Sequence, residues 1–366
     1  MIRIGNVEEA IEKGMFQEKE IVILGAGKDG KEACVTLLAH HASVKCFMDS
    51  NAKGKKPSYY GIPVVPEEDA VITPSDVVLL CIGTFSSMCD QEIVAHPFIQ
   101  RTGTTSTQLV VFDRMRKDFD VLKAIAQKHQ IDLGAAVLDF QGVRMPNYLK
   151  MDVGIQRSFI GESCDLILPT MFNEWSAVDE GPYEIDEMHL SPQGGDNIID
   201  CGANIGVFSA IAASIPGNMV YAVEPVPHAV KILRNVCELY PNIQICSVAL
   251  SDTSGVCHMT NVDELALNRM TTKAGDATIE VPMMTVDEMV VKYHISNVDF
   301  IKADIEGAER KMLKGATRTL KEHAPKLALC TYHLDDDPEV LEYLIKEANP
   351  DYRVIQKKRK LYAYVK

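Results

Sequence analysis

An α/β chain made of two successive doubly wound units is predicted by three observations. Twice, an apolar strand runs into a glycine-containing turn that opens a helix: Glu20–Leu24 into Gly25-Ala26-Gly27-Lys28-Asp29-Gly30, and Ile198–Cys201 into Gly202-Ala203-Asn204-Ile205-Gly206. Each time the strand after that helix ends at an acid, Asp49 in the first case and Glu224 in the second. Beyond the second turn, strand and helix patterns alternate to the C-terminus. Such alternation builds a parallel sheet, and its ligand lies across the strand ends at the first loop.

At 366 residues the chain exceeds a comfortable single core, so more than one domain is expected. The sequence divides into a Rossmann-like nucleotide-binding unit over 1–114, a connecting helix with a lid-like segment over 115–180, and a second, larger unit over 181–366. With 46% apolar residues, both units can bury a core. A net charge of −14 argues against a protein whose business is the phosphate backbone of nucleic acid. No apolar run is long enough to span a bilayer, and Glu8, Glu9 and Glu12 stand where a signal peptide would be basic and then apolar. The ten cysteines never form a Cys-x-x-Cys pair, and Cys81 and Cys246 sit inside apolar strands as reduced thiols would. A cytoplasmic protein is expected, with a small molecule or glycan as partner, no nucleic acid and no membrane. A homo-oligomer is compatible with this composition.

In the first unit, residues 7–15 read as a short helix, Glu20–Leu24 and Val44–Met48 as strands, and Asp76–Ile82 as another buried strand. Gly25, Gly27 and Gly30 form a Gly-x-Gly-x-x-Gly pattern with a strand before it, a helix after it and Asp49 19 residues beyond Gly30. That is the context a nucleotide site needs. A basic loop follows, with Lys53, Lys55 and Lys56. Over residues 18–112 this order resembles the small Rossmann-like domain at the N-terminus of some bacterial sugar acyltransferases, which implies a nucleotide or nucleotide-linked sugar as its ligand.

Between the units, Arg116–Gln130 has helical spacing with Phe119, Leu122, Ile125 and Ala126 on one face. From Leu138 the pattern alternates and turns, as an edge strand does. The acidic stretch Phe172–Glu184 holds the single tryptophan, Trp175, and is placed to fold over the site as a lid.

The second unit carries the sharper signal. A pyrophosphate loop presents bare backbone N–H groups from three glycines. Here Asp200 comes first and Asn204 stands between two glycines. A carboxylate so placed repels a pyrophosphate, whereas S-adenosyl-L-methionine carries an ammonium and a sulfonium and suits it. Glu224, 18 residues beyond Gly206, is positioned to accept from both ribose hydroxyls. Pro227 opens a helix, Ile243–Ala249 is a third strand, and the alternating runs Gly255–Met259 and Ala277–Met284 read as a hairpin-like extension. Thr285 caps the next helix, and Val298–Ala303 and Lys326–Tyr332 are the fourth and fifth strands. A final pair, Tyr352–Gln356 and Leu361–Val365, surrounds Lys357-Lys358-Arg359-Lys360, read as a solvated turn. Dehydrogenase folds lack such a terminal pair; class I methyltransferases insert an antiparallel strand there.

Seven separated blocks of the second unit together resemble the FkbM methyltransferase family: Glu180–Glu184, Asp200–Gly206, Glu224-Pro225, Ala249–Asp252, Thr285–Asp287, Lys302–Glu309 and Tyr332-His333. The resemblance spans about residues 178–366. It implies methyl transfer from S-adenosyl-L-methionine to an oxygen, often a sugar hydroxyl. It further implies that Asp200, Gly202, Asn204 and Gly206 line the methionine end of the cofactor, that Glu224 meets the ribose, and that Leu250, Ser251 and Asp252 flank the adenine. Many members lack the nucleotide-binding unit found at the front of this chain.

Methyl transfer to a hydroxyl is an in-line displacement, so a base must take a proton from the acceptor near the strand ends. Asp304, just past the fourth strand, and His333, just past the fifth, are the two candidates, with His333 first because imidazole titrates nearer neutral pH. Asp304, Glu306, His333 and Asp335–Asp337 also offer oxygen and nitrogen for a Mg²⁺ or Mn²⁺ that would acidify a sugar hydroxyl. Two other readings stand beside this one. The first unit could be a nicotinamide-dependent sugar oxidoreductase or epimerase, although no Tyr-x-x-x-Lys pair follows its glycine loop. The chain could also be a scaffold with a dead methyltransferase site.

Overall fold

The computed structural model describes residues 2–54, 56–81, 102–105, 107–112, 114–173, 183–184, 190–260, 270–271, 278–334 and 336–366. The chain divides into two compact units, Met1–Val121 and Leu122–Lys366. Trp175, most of the segment read as a lid, and Asp335 lie outside the described residues.

Among the described residues, the first unit forms a seven-stranded sheet. Its strands are β1 (Ile2–Ile4), β2 (Glu20–Leu24), β3 (Ser43–Met48), β4 (Ser58–Tyr59), β5 (Ile62–Val65), β6 (Val77–Leu80) and β7 (Leu109–Phe112), in the order β1-β7-β6-β2-β3-β5-β4. All neighbours are parallel except β4 with β5. β6 and β7 are buried at every position, as befits strands covered on both faces. Ile21, Ile23, Leu37 and Leu79 pack on one side of the sheet; Val22, Met48, Val78 and Val111 pack on the other. Helix Lys28–Ala39 leaves the turn directly after β2.

In the second unit, a two-stranded hairpin of β8 (Val137–Phe140) and β9 (Val143–Pro146) comes first. It is followed by helix Val153–Glu162, a single π turn over Ser163–Ile167, and helix Leu168–Phe172. The main sheet contains β10 (Asn197–Cys201), β11 (Met219–Val223), β12 (Ile243–Cys246), β17 (Phe300–Ala303), β18 (Lys326–Cys330), β19 (Arg353–Lys357) and β20 (Lys360–Tyr364). Their order is β12-β11-β10-β17-β18-β20-β19. The first five are parallel, and β20 lies antiparallel between β18 and β19. The chain therefore reverses direction of winding at β10 and β17, which opens a crevice at their carboxyl ends.

A smaller sheet holds β13 (Ala249–Leu250), β14 (Gly255–Thr260), β15 (Met270–Thr271) and β16 (Thr278–Met284). β14 and β16 pair antiparallel, as the alternating runs predict. Helix Val286–Lys292 begins with a full capping box: Thr285 accepts from the Glu288 N–H while Glu288 reaches back to the Thr285 N–H. The core under the main sheet is aliphatic, with Ile199, Ile301, Leu327, Leu329, Leu341 and Leu361 among its members. Burying one such side chain stabilises the fold by about 1.5–3 kcal/mol.

Candidate active site

The turn after β10 is shaped by backbone needs before any ligand is considered. Gly202 has φ +78°, and a Cβ there would sit 2.0 Å from the Asp304 carbonyl oxygen, so only glycine fits. Asn204 takes the left-handed region at φ 48°, which asparagine tolerates better than most residues. Gly206 caps helix Val207–Ser214 at φ 91°. The N–H groups of Gly202 and Ala203 both donate to the Val223 carbonyl at 3.0 Å, which pins the turn against the end of β11.

Asp200 stands beneath this turn. Its side chain is fully buried, its Oδ2 accepts from Ser209 Oγ at 2.6 Å, and its Oδ1 lies 3.0 Å from Lys302 Nζ. Asp200 and Lys302 are register partners on β10 and β17, so they leave the sheet side by side on one face. Lys302 also donates to the Gly202 carbonyl at 2.7 Å. Burial alone would lower the Lys302 pKa, but the carboxylates of Asp200 and Asp304 outweigh it and hold the ammonium charged.

Above the strand ends lies a cavity of about 300 Å³. Gly202, Asn204, Glu224, Asp304 and Glu306 line it, together with Tyr183, Tyr332, Lys302, Lys360 and Glu162. Glu224, at the end of β11, is 6% exposed. Its Oε2 accepts from the Asn204 N–H and its Oε1 from the Val226 N–H, each at 2.9 Å. Burial raises its pKa to about 7, with the two N–H bonds and Lys302 working the other way. Glu162, at the end of its helix, accepts from Asn204 Nδ2 at 2.6 Å. Burial is the main reason its pKa stands at about 8, partly offset by Lys302. A smaller apolar pocket adjoins, lined by Val223, Pro225, Val248, Leu250, Met259 and Met270.

Asp304 is the centre of a second polar group. Its Oδ2 accepts from Tyr183 OH at 2.8 Å and its Oδ1 from Tyr332 OH at 2.9 Å. Burial would raise its pKa, but Lys302, the Tyr183 bond, Lys360 and His333 together hold it below the usual carboxylate range. Tyr183 is itself 5% exposed, and burial followed by the Asp304 charge pushes its phenol well up. The ammonium of Lys360 lies 4.2 Å from the centre of the Tyr183 ring and that of Lys302 5.3 Å from it.

Two expectations from the sequence need correction. His333 is not poised near neutral pH. Burial would lower its pKa, but Glu306 at 3.7 Å, Glu309 at 3.4 Å and Asp304 at 3.8 Å surround the ring and raise it to about 10. An imidazolium has already taken its proton, and His333 is not among the residues that line the cavity. Second, Lys357–Lys360 is not wholly a solvated turn. Lys357 and Lys358 are exposed, but Lys360 is only 1% exposed. It pairs with Cys330 at the start of β20, and an antiparallel strand begins where its parallel neighbours end, at the cavity. Of the loop residues expected beside the cofactor, Gly202 and Asn204 line the cavity, Asp200 lies beneath the turn, Gly206 begins the next helix, Ser251 is buried and Asp252 is exposed. Leu250 lines the apolar pocket.

The metal expectation on Asp304, Glu306 and His333 fits the donors poorly. Among the described residues, the possible ligand atoms that lie within 4.8 Å of one another belong to Asp304, Glu309 and His333. Glu306, one of the three expected ligands, is not in that group, and Mg²⁺ and Mn²⁺ prefer oxygen-rich sets. Asp336 and Asp337 instead bind Arg310, at 2.6 and 2.7 Å.

Sequence reasoning missed Glu162, Tyr183 and Lys360 as members of the site. Tyr183 stands within a block that carried the family resemblance, and its position there was the available signal. Glu162 lies in a helix with no motif of its own, and nothing in its neighbours marks it.

Sheet order, switch-point crevice and inserted antiparallel strand together define a class I methyltransferase fold. Residues 200–354 match the methyltransferase FkbM domain. The chain is 25% identical over 170 residues to the hexuronic acid methyltransferase AglP of Haloferax volcanii, across 46% of this chain and 69% of that protein. Among solved structures, it is similar to methyltransferase FkbM from Methylobacillus flagellatus KT, at 20% identity and TM-score 0.43, covering 99% of this chain and 94% of that one. Aeropyrum pernix fibrillarin, solved with natively bound S-adenosyl-L-methionine, aligns at 17% identity and TM-score 0.30 over 48% of this chain and 69% of that one. Residues 200–354 thus form a methyltransferase FkbM domain, and the protein is a methyltransferase enzyme. Among the described residues, no helix is long and apolar enough to cross a membrane.

Proposed function

We propose that the second unit transfers the methyl group of S-adenosyl-L-methionine to a hydroxyl of a sugar or glycosylated acceptor. The observation that carries this reading is the cavity at the ends of β10, β11 and β17, with Glu224 at one wall and Asp304 at another. Glu224 is the ribose partner, Gly202 and Asn204 shape the path of the methionine chain, and Leu250 with Met259 receives the adenine. The similarity to a hexuronic acid methyltransferase supports a sugar as acceptor.

In the reaction, the acceptor oxygen attacks the sulfonium methyl carbon, the C–S bond breaks, and its electron pair stays on sulfur as neutral S-adenosylhomocysteine. The hydroxyl proton must leave as the C–O bond forms. Asp304 is the group that receives it. A carboxylate has about four lone-pair sites, so two tyrosine hydroxyls leave room for a third donor. A weak base suffices because an oxygen becomes strongly acidic as it gains the methyl group. Lys302, Lys360 and the His333 cation keep Asp304 ionised between turnovers.

The first unit, over about 1–114, is read as the holder of a nucleotide-linked part of the substrate through Gly25, Gly27, Gly30 and Asp49. Asp49 supports this by its likeness to Glu224. One of its oxygens accepts from the loop N–H of Ala26 at 2.8 Å, and the other from the N–H two residues on, Asn51, at 2.9 Å.

The test is calorimetric titration with S-adenosylhomocysteine, then with NAD and a UDP-sugar. S-adenosylhomocysteine binding that Glu224→Ala abolishes is the expected result. No response to S-adenosylhomocysteine, with NAD bound instead, overturns the reading.

A further inference from the structure

Glu162 enters the cavity from outside the part of the chain that matches the FkbM domain. Helix Val153–Glu162 is fixed at its start by Asp152, whose side chain accepts from the Ile155 N–H at 3.1 Å. It passes directly into the π turn Ser163–Ile167. A π turn widens the helix by one residue and re-aims the side chains beside it. Glu162, Asp165 and Leu166 all face the cavity from this turn.

The cavity wall here has acceptors in excess. Asn204 Nδ2 donates to Glu162 Oε1, which turns the amide oxygen of Asn204 away from that bond. Among the described residues, that oxygen is buried and has no donor. Glu162 has a second carboxyl oxygen, and both residues line the cavity. A buried amide oxygen with no donor is unfavourable, so the wall suits a group that brings hydrogens.

We infer that Glu162, with the amide oxygen of Asn204, binds the α-ammonium group of the cofactor's methionine portion. An ammonium has three donors and no acceptor, which matches a wall that offers acceptors from both residues. The inference rests on S-adenosyl-L-methionine being the ligand of the cavity. Of the polar groups on that molecule, the ribose hydroxyls go to Glu224 and the adenine to the apolar pocket at Leu250. The α-carboxylate brings acceptors only and would be a third carboxyl group beside Glu162 and Asp165, whereas an ammonium there favours the ionised form of Glu162. The ammonium is what remains, and Asn204 spaces it from the ribose: its backbone N–H holds Glu224 and its side chain holds Glu162. Glu162 is then a binding residue for the donor and touches no reacting atom.

The experiment compares S-adenosylhomocysteine with 5′-methylthioadenosine, which keeps the nucleoside and the sulfur but lacks the amino-acid end. Glu162→Gln should weaken S-adenosylhomocysteine about tenfold or more, the loss expected for a hydrogen bond to a charged group, and leave 5′-methylthioadenosine unchanged. On the unaltered protein, S-adenosylhomocysteine lacking its α-amino group should bind as weakly as the intact ligand binds to Glu162→Gln. That measurement needs no variant to fold. Equal weakening of both nucleosides by Glu162→Gln, or full affinity for the ligand without its amino group, overturns the inference. If the unaltered protein binds neither nucleoside, it is the proposed function that fails.

Discussion

Lys302 and Asp200 form a buried ion pair beneath the glycine turn, 3.0 Å from Nζ to Oδ1, with side chains 6% and 0% exposed. Because they are register partners on adjacent strands, their contact is set by the sheet itself. Removing one partner leaves the other charge buried, which costs about 3–5 kcal/mol. Lys302→Met should therefore lower the urea midpoint strongly without changing the slope of the transition. Adding Asp200→Asn should recover part of the loss. If the double variant is no more stable than Lys302→Met, the pair does not carry the stability assigned to it.

Asp304 is the proposed proton acceptor, so Asp304→Asn should lower kcat by roughly 10²–10⁴-fold, the usual range for a lost general base. S-adenosylhomocysteine should still bind. Tyr183→Phe removes one hydrogen bond to that carboxylate and should cost less. The profile of kcat against pH separates Asp304 from His333. With His333 raised to about 10, no acid limb should appear near 6.5, the ordinary histidine value, that His333→Gln abolishes. Such a limb, lost in that variant, would return the base to His333.

The sheet was legible in the sequence because its signals are local: buried strands are continuous apolar runs, and a glycine turn between strand and helix has few alternatives. Glu224 and Asp304 were legible for the same reason, since a residue just past a strand of a parallel sheet must stand at the crevice. The protonation state of His333 was not, because it depends on Glu306, Glu309 and Asp304 converging in space. Lys360 was misread because a run of four basic residues looks uniform until the strand register turns one of them inward. Glu162 could not be seen at all. Its place depends on how a helix outside the main sheet packs against Asn204.

Glu162 and Glu224 make the stability of the ligand-free protein depend on pH. Both have folded pKa values raised from 4.5, to about 8 and about 7. A raised carboxyl binds more protons folded than unfolded. Its contribution is therefore whole below pH 4.5 and is lost as pH rises through the folded values. Tm should accordingly fall from about pH 4.5 upward and level off above about pH 8. Each kcal/mol lost corresponds to about 2–4 °C in a unit of this size. Glu162→Gln should flatten the fall, since an amide does not titrate. A Tm that rises over the same interval would mean that these carboxyls are ionised throughout.

The first unit offers two glycines whose substitution should give opposite results. Gly30 packs against the turn it belongs to: a Cβ there would lie 1.9 Å from the Gly25 carbonyl oxygen. Gly30→Ala forces backbone to move and should unfold the first unit at a lower denaturant concentration. A Cβ on Gly27 would meet nothing within 4 Å, and the residue sits at φ −77°, which any residue adopts. Gly27→Asp should fold as the unaltered protein does, yet it puts a carboxylate at the N-terminus of helix Lys28–Ala39, where a phosphate would dock. Calorimetry with UDP and a UDP-sugar then reads the site directly. Binding present in the unaltered protein and lost in Gly27→Asp supports a nucleotide in the first unit. Binding that survives the substitution places the nucleotide elsewhere and leaves the glycines of this turn a purely architectural role.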